Sequence, residues 1–249
     1  MVAATSAHAA LLIRRLESIA PLSAEEGHAL ATVPMQVADI KADQDIVCEG
    51  DRPTRSCVVI EGFTCNYKMT GEGKRQIMAF HVPGDIPDLQ SLHLKVLDSS
   101  LGTITPCKVG FVQHEVLHDL CARLPGVAAA LWRATLIDGA TYREWVVNVG
   151  RRPAYARVAH LLCEMVLRLR AVGLAEGYSC DLPITQNKLA DATGLSAVHL
   201  NRTMQELRAA GLVKFAQGSL QVLDWRRLEE SGDFDPTFLH LTGGEAAWA

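Results

Sequence analysis

The stretch "TGLSAVHLNRTMQELRAAG", residues 193–211, constrains the fold of this chain more than any other. Thr193–Gly194 reads as a tight turn in which glycine tolerates positive φ. Ser196 is a hydroxyl N-cap, good helix formers run to about Ala210, and Gly211 ends the helix. Upstream, Thr185 is placed to cap a shorter helix, Gln186–Ala192. Leu189, Ala190, Leu195, Leu200, Met204 and Leu207 supply the apolar contacts between the two helices, and Ala190 is small enough for a close crossing. Two short helices joined by such a turn predict a helix-turn-helix. The following "LVKFAQGSLQVLDW" predicts two short strands around Gln217–Gly218, a wing.

A winged helix-turn-helix places its second helix in the DNA major groove, N-terminal residues at the base edges. Facing outward there are Ala197, Val198, His199, Asn201 and Arg202. Arg202 can pair with guanine or anchor a phosphate, Val198 can touch a thymine methyl, and His199 or Asn201 can bond a base or the backbone. Net charge is −4, which taken alone disfavours a nucleic-acid partner. The distribution reverses that: residues 1–149 balance at −4, residues 150–230 at +3 and the last 19 residues at −3. The positive block contains the helix pair, as an electrostatic footprint on DNA requires. The competing reading is a solvated helix face.

Ahead of this unit, residues 35–112 read as many short strands. "SCVVIEGFTCNY", "MTGEGKRQIMAFHVPGD" and "LGTITPCKVGFV" combine apolar alternation with glycine turns and suggest a β-roll, jelly-roll or small sandwich. Periodicity turns helical from about residue 113. A long helix is expected from Pro125 to Asn148, with Val127, Leu131, Ala134, Thr141 and Trp145 at spacings of three and four, interrupted by Asp138. Such a stripe can be an interdomain strut, a dimer seam, or ordinary core packing. "PAYARVAHLLCEMVLRLRA", residues 153–171, is an amphipathic helix whose stripe is Val158, Leu161, Leu162, Met165 and Leu169. No apolar run reaches the ~18 residues of a membrane span. The N-terminal arginines follow the apolar residues, unlike a secretory signal. Seven dispersed cysteines without a C-x-x-C pair suit reduced thiols in a cytoplasmic protein.

With "GD" and "VVIEG" at 50–62, "GKRQIMAFHVPGDI" at 73–86 and "ITQNKLADATGLSAVHLNRTMQEL" at 184–207, the sequence resembles the Crp/Fnr family of bacterial transcription regulators. The resemblance implies an α+β chain divided into a cyclic-nucleotide-binding-like β-roll (1–122), a dimerisation helix (123–150), a winged helix-turn-helix (151–230) and a tail (231–249). It implies a homodimer seamed along Val127, Leu131, Ala134, Asp138, Thr141 and Trp145. Double-stranded DNA with two-fold-related half-sites is the implied partner, with RNA polymerase beside it. The expected DNA-binding set is Thr185, Gln186, Ser196, Ala197, Val198, His199, Asn201, Arg202 and Lys214.

The departures carry information too. Members that bind cyclic AMP have a Gly-Glu pair and later an Arg-Ser pair in the β-roll. Here Pro87–Asp88 stand near the first, and no arginine occurs between Arg75 and Arg123. A phosphate would be poorly compensated beside Asp88 and Asp98, so cyclic AMP is not expected in the pocket outlined by Phe80, Pro87, Asp88, Leu89, Ser99 and Ser100. An iron–sulfur cluster is not expected either: the first cysteine is Cys48, and four thiolates at cluster spacing are missing. Haem stays open, with His81 and His93 present but no motif marking an axial ligand. Cys48, Cys57 and Cys65 are redox-sensor candidates or simply packed thiols.

Two other functions compete. "HEVLH", residues 114–118, matches the zinc-peptidase pattern, with His114 and His118 on one helix face and Glu115 as base. No third ligand stands out downstream. A β-roll ligand-binding module without DNA activity is the other. Many Crp/Fnr relatives carry glutamate where Val198 stands, accepting a hydrogen bond from cytosine, so a different half-site is expected here. Val198→Glu should therefore shift the base preference in site selection from random DNA; an unchanged preferred site would contradict the assignment of Val198 to the base edges.

Overall fold

The computed structural model of the chain describes residues 2–242. It opens with α1 (Val2–Glu17) and α2 (Ala24–Ala31), helices with no counterpart among the expectations above. Ser23 starts α2 through a reciprocal cap. Its hydroxyl accepts the Glu26 N–H, and the Glu26 carboxylate accepts the Ser23 N–H at 2.7 Å.

Two sheets follow, built from β1 (Gln36–Ile40), β2 (Asp45–Val47), β3 (Arg55–Glu61), β4 (Thr64–Met69), β5 (Arg75–His81), β6 (Ser100–Thr103) and β7 (Cys107–Gln113). One has the order β1–β7–β3 and the other β2–β6–β4–β5. Buried side chains alternate between two cores along β3. Cys57 packs with Leu101, Cys107, Val109 and Phe111 inside the roll, while Val58 packs outward with Leu12, Leu30, Val112 and Leu117. Strand alternation puts successive residues on opposite faces, so the run "CVVI" is buried throughout because both faces are covered. The turn after β5 needs its glycine. Gly84 has φ +99°, and a Cβ there would stand 2.5 Å from the Leu11 carbonyl oxygen of α1. Any side chain would push α1 off the roll.

Helix α3 (His114–Arg123) leads into α4 (Pro125–Arg151), which starts at the expected proline. The chain forms two compact units that do not coincide with the expected domain limits. Among the described residues the first comprises 2–68, 80–139 and 240–242, and the second 69–79 and 140–239. Thus α4 is shared between them, and the tip of the β4–β5 hairpin is counted with the second.

The second unit is organised around α5 (Ala154–Ala171), buried on every side from Val158 to Leu169. It is covered by α6 (Gln186–Thr193), α7 (Ala197–Ala209) and α8 (Trp225–Ser231), which explains why an amphipathic stripe in the sequence becomes a fully enclosed helix. Enclosure traps polar groups, and Glu164 is one that finds partners. The Glu164 carboxylate accepts Trp145 Nε1–H at 2.7 Å and Arg168 Nη1–H at 3.0 Å. The expected two-stranded wing, β10 (Val213–Ala216) and β11 (Ser219–Val222), is extended by β9 (Ser179–Asp181) and β8 (Ala175–Glu176) into the sheet β10–β11–β9–β8. The expected tail from 231 is partly core. Phe234 and Leu239 are buried, and Phe234 meets the His160 ring edge-on at 4.9 Å. Residues 243–249 of that tail lie outside the described residues.

Candidate nucleic-acid interface

Each helix of the pair begins on the residue expected to cap it. Thr185 accepts the Lys188 N–H, and Ser196 accepts the His199 N–H at 3.2 Å. Between the helices Gly194 ends α6 in the left-handed region, with φ +64°. Leu189, Leu200, Met204 and Leu207 are buried as expected. Val198, 82 % exposed, projects from the first turn of α7 beside exposed Ala197. An apolar side chain left in solvent at the tip of a polar helix is placed to meet something apolar, such as a thymine methyl.

Arg202 is exposed one turn on, and Glu206 stands 3.8 Å from its Nε, so the guanidinium is steadied loosely. His199 is half-buried, and Lys214 is exposed on β10 opposite Gln221. Asn201 differs from the others. Its Nδ2 donates to Gln186 Oε1 at 2.8 Å, and its Oδ1 accepts Gln205 Nε2–H at 3.0 Å. Gln205 was absent from the expected set; its position on the exposed face, four residues after Asn201, is the sequence signal that could have found it.

The turn is held from behind. Arg157 on α5 donates to the carbonyls of Thr193 at 2.6 Å, Arg152 at 2.9 Å and Asn148 at 3.1 Å. In the same unit Arg75 binds Asp191 of α6 through Nε and Nη2, at 2.9 and 2.8 Å. Neither arginine is deducible from local sequence, because both act at long range.

In the β-roll, Phe80, Pro87, Asp88, Leu89 and Ser99 are buried, while Ser100 is half-buried and accepts the Glu49 N–H at 3.0 Å. Asp88 Oδ1 accepts the Cys57 N–H at 2.8 Å, and burial pushes its carboxyl up to about 7 against the lowering effect of the Cys57 and Asp88 N–H groups. Asp85 is bound by Arg15 of α1 at 2.8 Å and accepts the Val82 N–H at 2.9 Å. His81 Nε2 lies 2.6 Å from Asn66 Oδ1.

Comparison with known proteins agrees with this geometry. The profile of the Crp-like helix-turn-helix domain matches residues 156–231, and that of the cyclic nucleotide-binding domain matches residues 38–124. The transcriptional activator protein FnrL of Cereibacter sphaeroides is 26 % identical over 202 residues, 78 % of this chain and 79 % of FnrL. The nitrogen fixation regulation protein FixK of Bradyrhizobium diazoefficiens is 28 % identical over 188 residues, 75 % of this chain and 77 % of FixK. The structure of FixK2 from Bradyrhizobium japonicum superposes with a TM-score of 0.73 at 25 % identity, covering 80 % of this chain and 98 % of FixK2. The chain belongs to the Crp/Fnr family. It is a DNA-binding transcription regulator, with a β-roll, a long helix and a winged helix-turn-helix in the order that family uses.

A Crp/Fnr β-roll raises the question of a cyclic nucleotide, and the residues here do not fit one. Asp85 and Asp88 are both buried in the segment after β5, and no arginine of the roll stands between Arg75 and Arg123. Arg15, which reaches this segment from α1, binds Asp85. Beside that pair a cavity bounded by Leu12, Arg15, Gly84, Asp85 and Leu89 holds about 20 Å³, room for roughly one water. Of the residues expected to outline an effector pocket, Phe80, Pro87, Asp88, Leu89 and Ser99 are buried and Ser100 is half-buried.

The other candidates resolve similarly. His114 and His118 do share a face of α3, but His114 Nε2 lies 3.1 Å from Ser91 Oγ and His118 meets His93 edge-on at 5.7 Å. Among the described residues no group of three His, Cys, Asp or Glu side chains is arranged to hold a metal ion. None of the seven cysteines forms a disulfide; Cys57 and Cys65 are buried, and burial raises the Cys57 thiol well above its usual range. Cys48 is exposed, yet its thiol is raised too, by partial burial and then by Asp45 and Asp51, the opposite of an activated thiolate.

Asp88 gives a test of this burial. Its folded pKa of about 7 lies above the ~3.9 of a free carboxyl, so the fold favours the protonated acid. The stability it contributes is full below pH ~4 and falls as pH rises to about 7. Asp88→Asn should flatten that part of the pH–stability curve in urea titrations, since Asn can still accept the Cys57 N–H. An unchanged slope would contradict the burial of an acid there.

Proposed function

We propose that the chain acts as a homodimer whose two α7 helices enter successive major grooves of a two-fold-related site, under control of a signal received by the β-roll. The observation that carries the reading is the outer face of α4. Trp132 is 70 % exposed, Leu136 58 % and Val146 71 %. With Ala129, Gly139, Arg143 and Gly150 they recur at alternating spacings of four and three along α4, the period of a two-stranded coiled-coil seam. An exposed tryptophan and leucine one turn apart on one protomer mark a surface that a partner covers.

The expected seam is corrected by the same helix. Val127, Leu131, Thr141 and Trp145 are buried within the protomer, and Ala134 and Asp138 are half-buried. That stripe has the right period in the wrong register: it packs α4 on its own chain, and the seam lies on the other face. A second copy placed along it would set two α7 helices about a two-fold axis, as half-sites one helical turn apart require.

Cyclic AMP is not the proposed signal, given buried Asp85 and Asp88 and the lack of an arginine between Arg75 and Arg123, and among the described residues no group of three His, Cys, Asp or Glu is arranged to hold a metal ion. The relatives named as transcriptional activators favour activation, with RNA polymerase as the further partner. The test is Trp132→Asp with Leu136→Asp. Both positions are exposed, so the protomer should keep its thermal midpoint while sedimentation shows a monomer. Affinity for a two-half-site duplex should fall by at least about a hundredfold as avidity is lost. A variant that remains dimeric and binds normally would overturn the assignment.

A further inference from the structure

The chain of amides across the two helices assigns roles that go beyond which helix reads DNA, though it rests on that reading of α7. Asn201 is committed at both ends: its N–H group reaches Gln186, fifteen residues earlier at the start of α6, and its carbonyl takes an N–H of Gln205. The two bonds fix the Asn201 amide between Gln186 and Gln205, so turning it toward a base would disturb both neighbours. Turning the amide over changes the direction of the bonds and keeps the tie.

Gln205 emerges differently. One N–H is given to Asn201, which leaves its carbonyl oxygen and its second N–H side by side on the exposed face of α7, three residues beyond Arg202. An acceptor beside a donor is the complement of adenine in the major groove, which offers the N6 amino group beside the N7 acceptor. Guanine presents two acceptors there, thymine an acceptor and a methyl, and cytosine a donor without the neighbouring acceptor, so each meets only half of the pair. Gln186 keeps its amino group at the N-terminus of α6, where a phosphate is favoured. We propose that Gln205 reads an adenine in each half-site, and that Asn201 is a positioning residue that holds Gln205 and Gln186 in place without touching DNA itself. Holding the amide before DNA arrives removes part of the ordering cost of the contact.

The experiment uses the full chain and the site that it selects from random DNA. Duplexes carrying each of the four bases at every half-site position are titrated by fluorescence anisotropy with the wild type, Gln205→Ala, Asn201→Ala and the double variant. The wild type should prefer adenine at one position per half-site by between about fivefold and about a hundredfold, the worth of one good bidentate contact. Gln205→Ala should erase that preference and leave the others. Asn201→Ala should relax the same position, and the double variant should lose nothing more there, with thermal midpoints unchanged throughout. A wild type that selects a defined site while Gln205→Ala keeps every preference, or weakens all duplexes equally as a phosphate contact would, overturns the role of Gln205. Retention of the adenine preference in Asn201→Ala overturns the positioning role. A wild type that selects no site at all overturns the reading of α7 itself.

Discussion

The DNA-reading end of the molecule depends on one guanidinium. Arg157 donates to the carbonyls of Asn148, Arg152 and Thr193, and Asn148 returns a bond from Nδ2 to the Arg157 carbonyl at 3.2 Å. Asn148 lies in the last turn of α4, and Thr193 closes α6. Those positions leave backbone carbonyls without intrahelical donors, so a single side chain caps two helix ends and ties the turn before α7 to the last turn of α4. A charged donor satisfies such carbonyls about twice as strongly as a neutral one. Lysine could not reproduce it, because three carbonyls in different directions need the planar fork of arginine.

From that tie the functional logic runs in both directions. Outward, α7 is presented with its caps satisfied, its apolar face on α5, and Val198, Arg202 and Gln205 exposed. Backward, α4 continues past Asn148 towards Val146, Leu136 and Trp132. In the proposed dimer, a change in how two α4 helices pack would move the turn that sets α7 and so alter half-site spacing without touching Val198, Arg202 or Gln205. In the β-roll, Arg15, Asp85, Asp88, His81 and Asn66 are bonded among themselves and to the backbone.

How much of this is legible in the sequence varies with the range of the interaction. The helix-turn-helix is legible because its signals are local: Thr185, Gly194 and Ser196 act within a few residues of themselves. The existence of α4 is legible from Pro125 and the period, but its seam is not. Val127–Leu131–Ala134 and Ala129–Trp132–Leu136 share the same alternation of threes and fours, one or two residues out of step, and which stripe faces the protomer depends on what packs there. The Arg15–Asp85 pair escapes for a related reason. Arg15 precedes Asp85 by seventy residues, so the lack of arginine between Arg75 and Arg123 is visible while the arginine that enters from α1 is not. Asn201 looks like a base reader by position, and only its two bonds show that it is tied to Gln186 and Gln205.

The central claim is that two copies of α7 occupy successive major grooves on one face of a two-fold-related site. Hydroxyl-radical footprinting of the full chain on its selected duplex tests it most directly. The account predicts protections related by a two-fold axis, with their centres one helical turn, roughly 34 Å, apart, and fading together as salt is raised. A single unsymmetrical patch, or protection that persists unchanged at high salt, would contradict it.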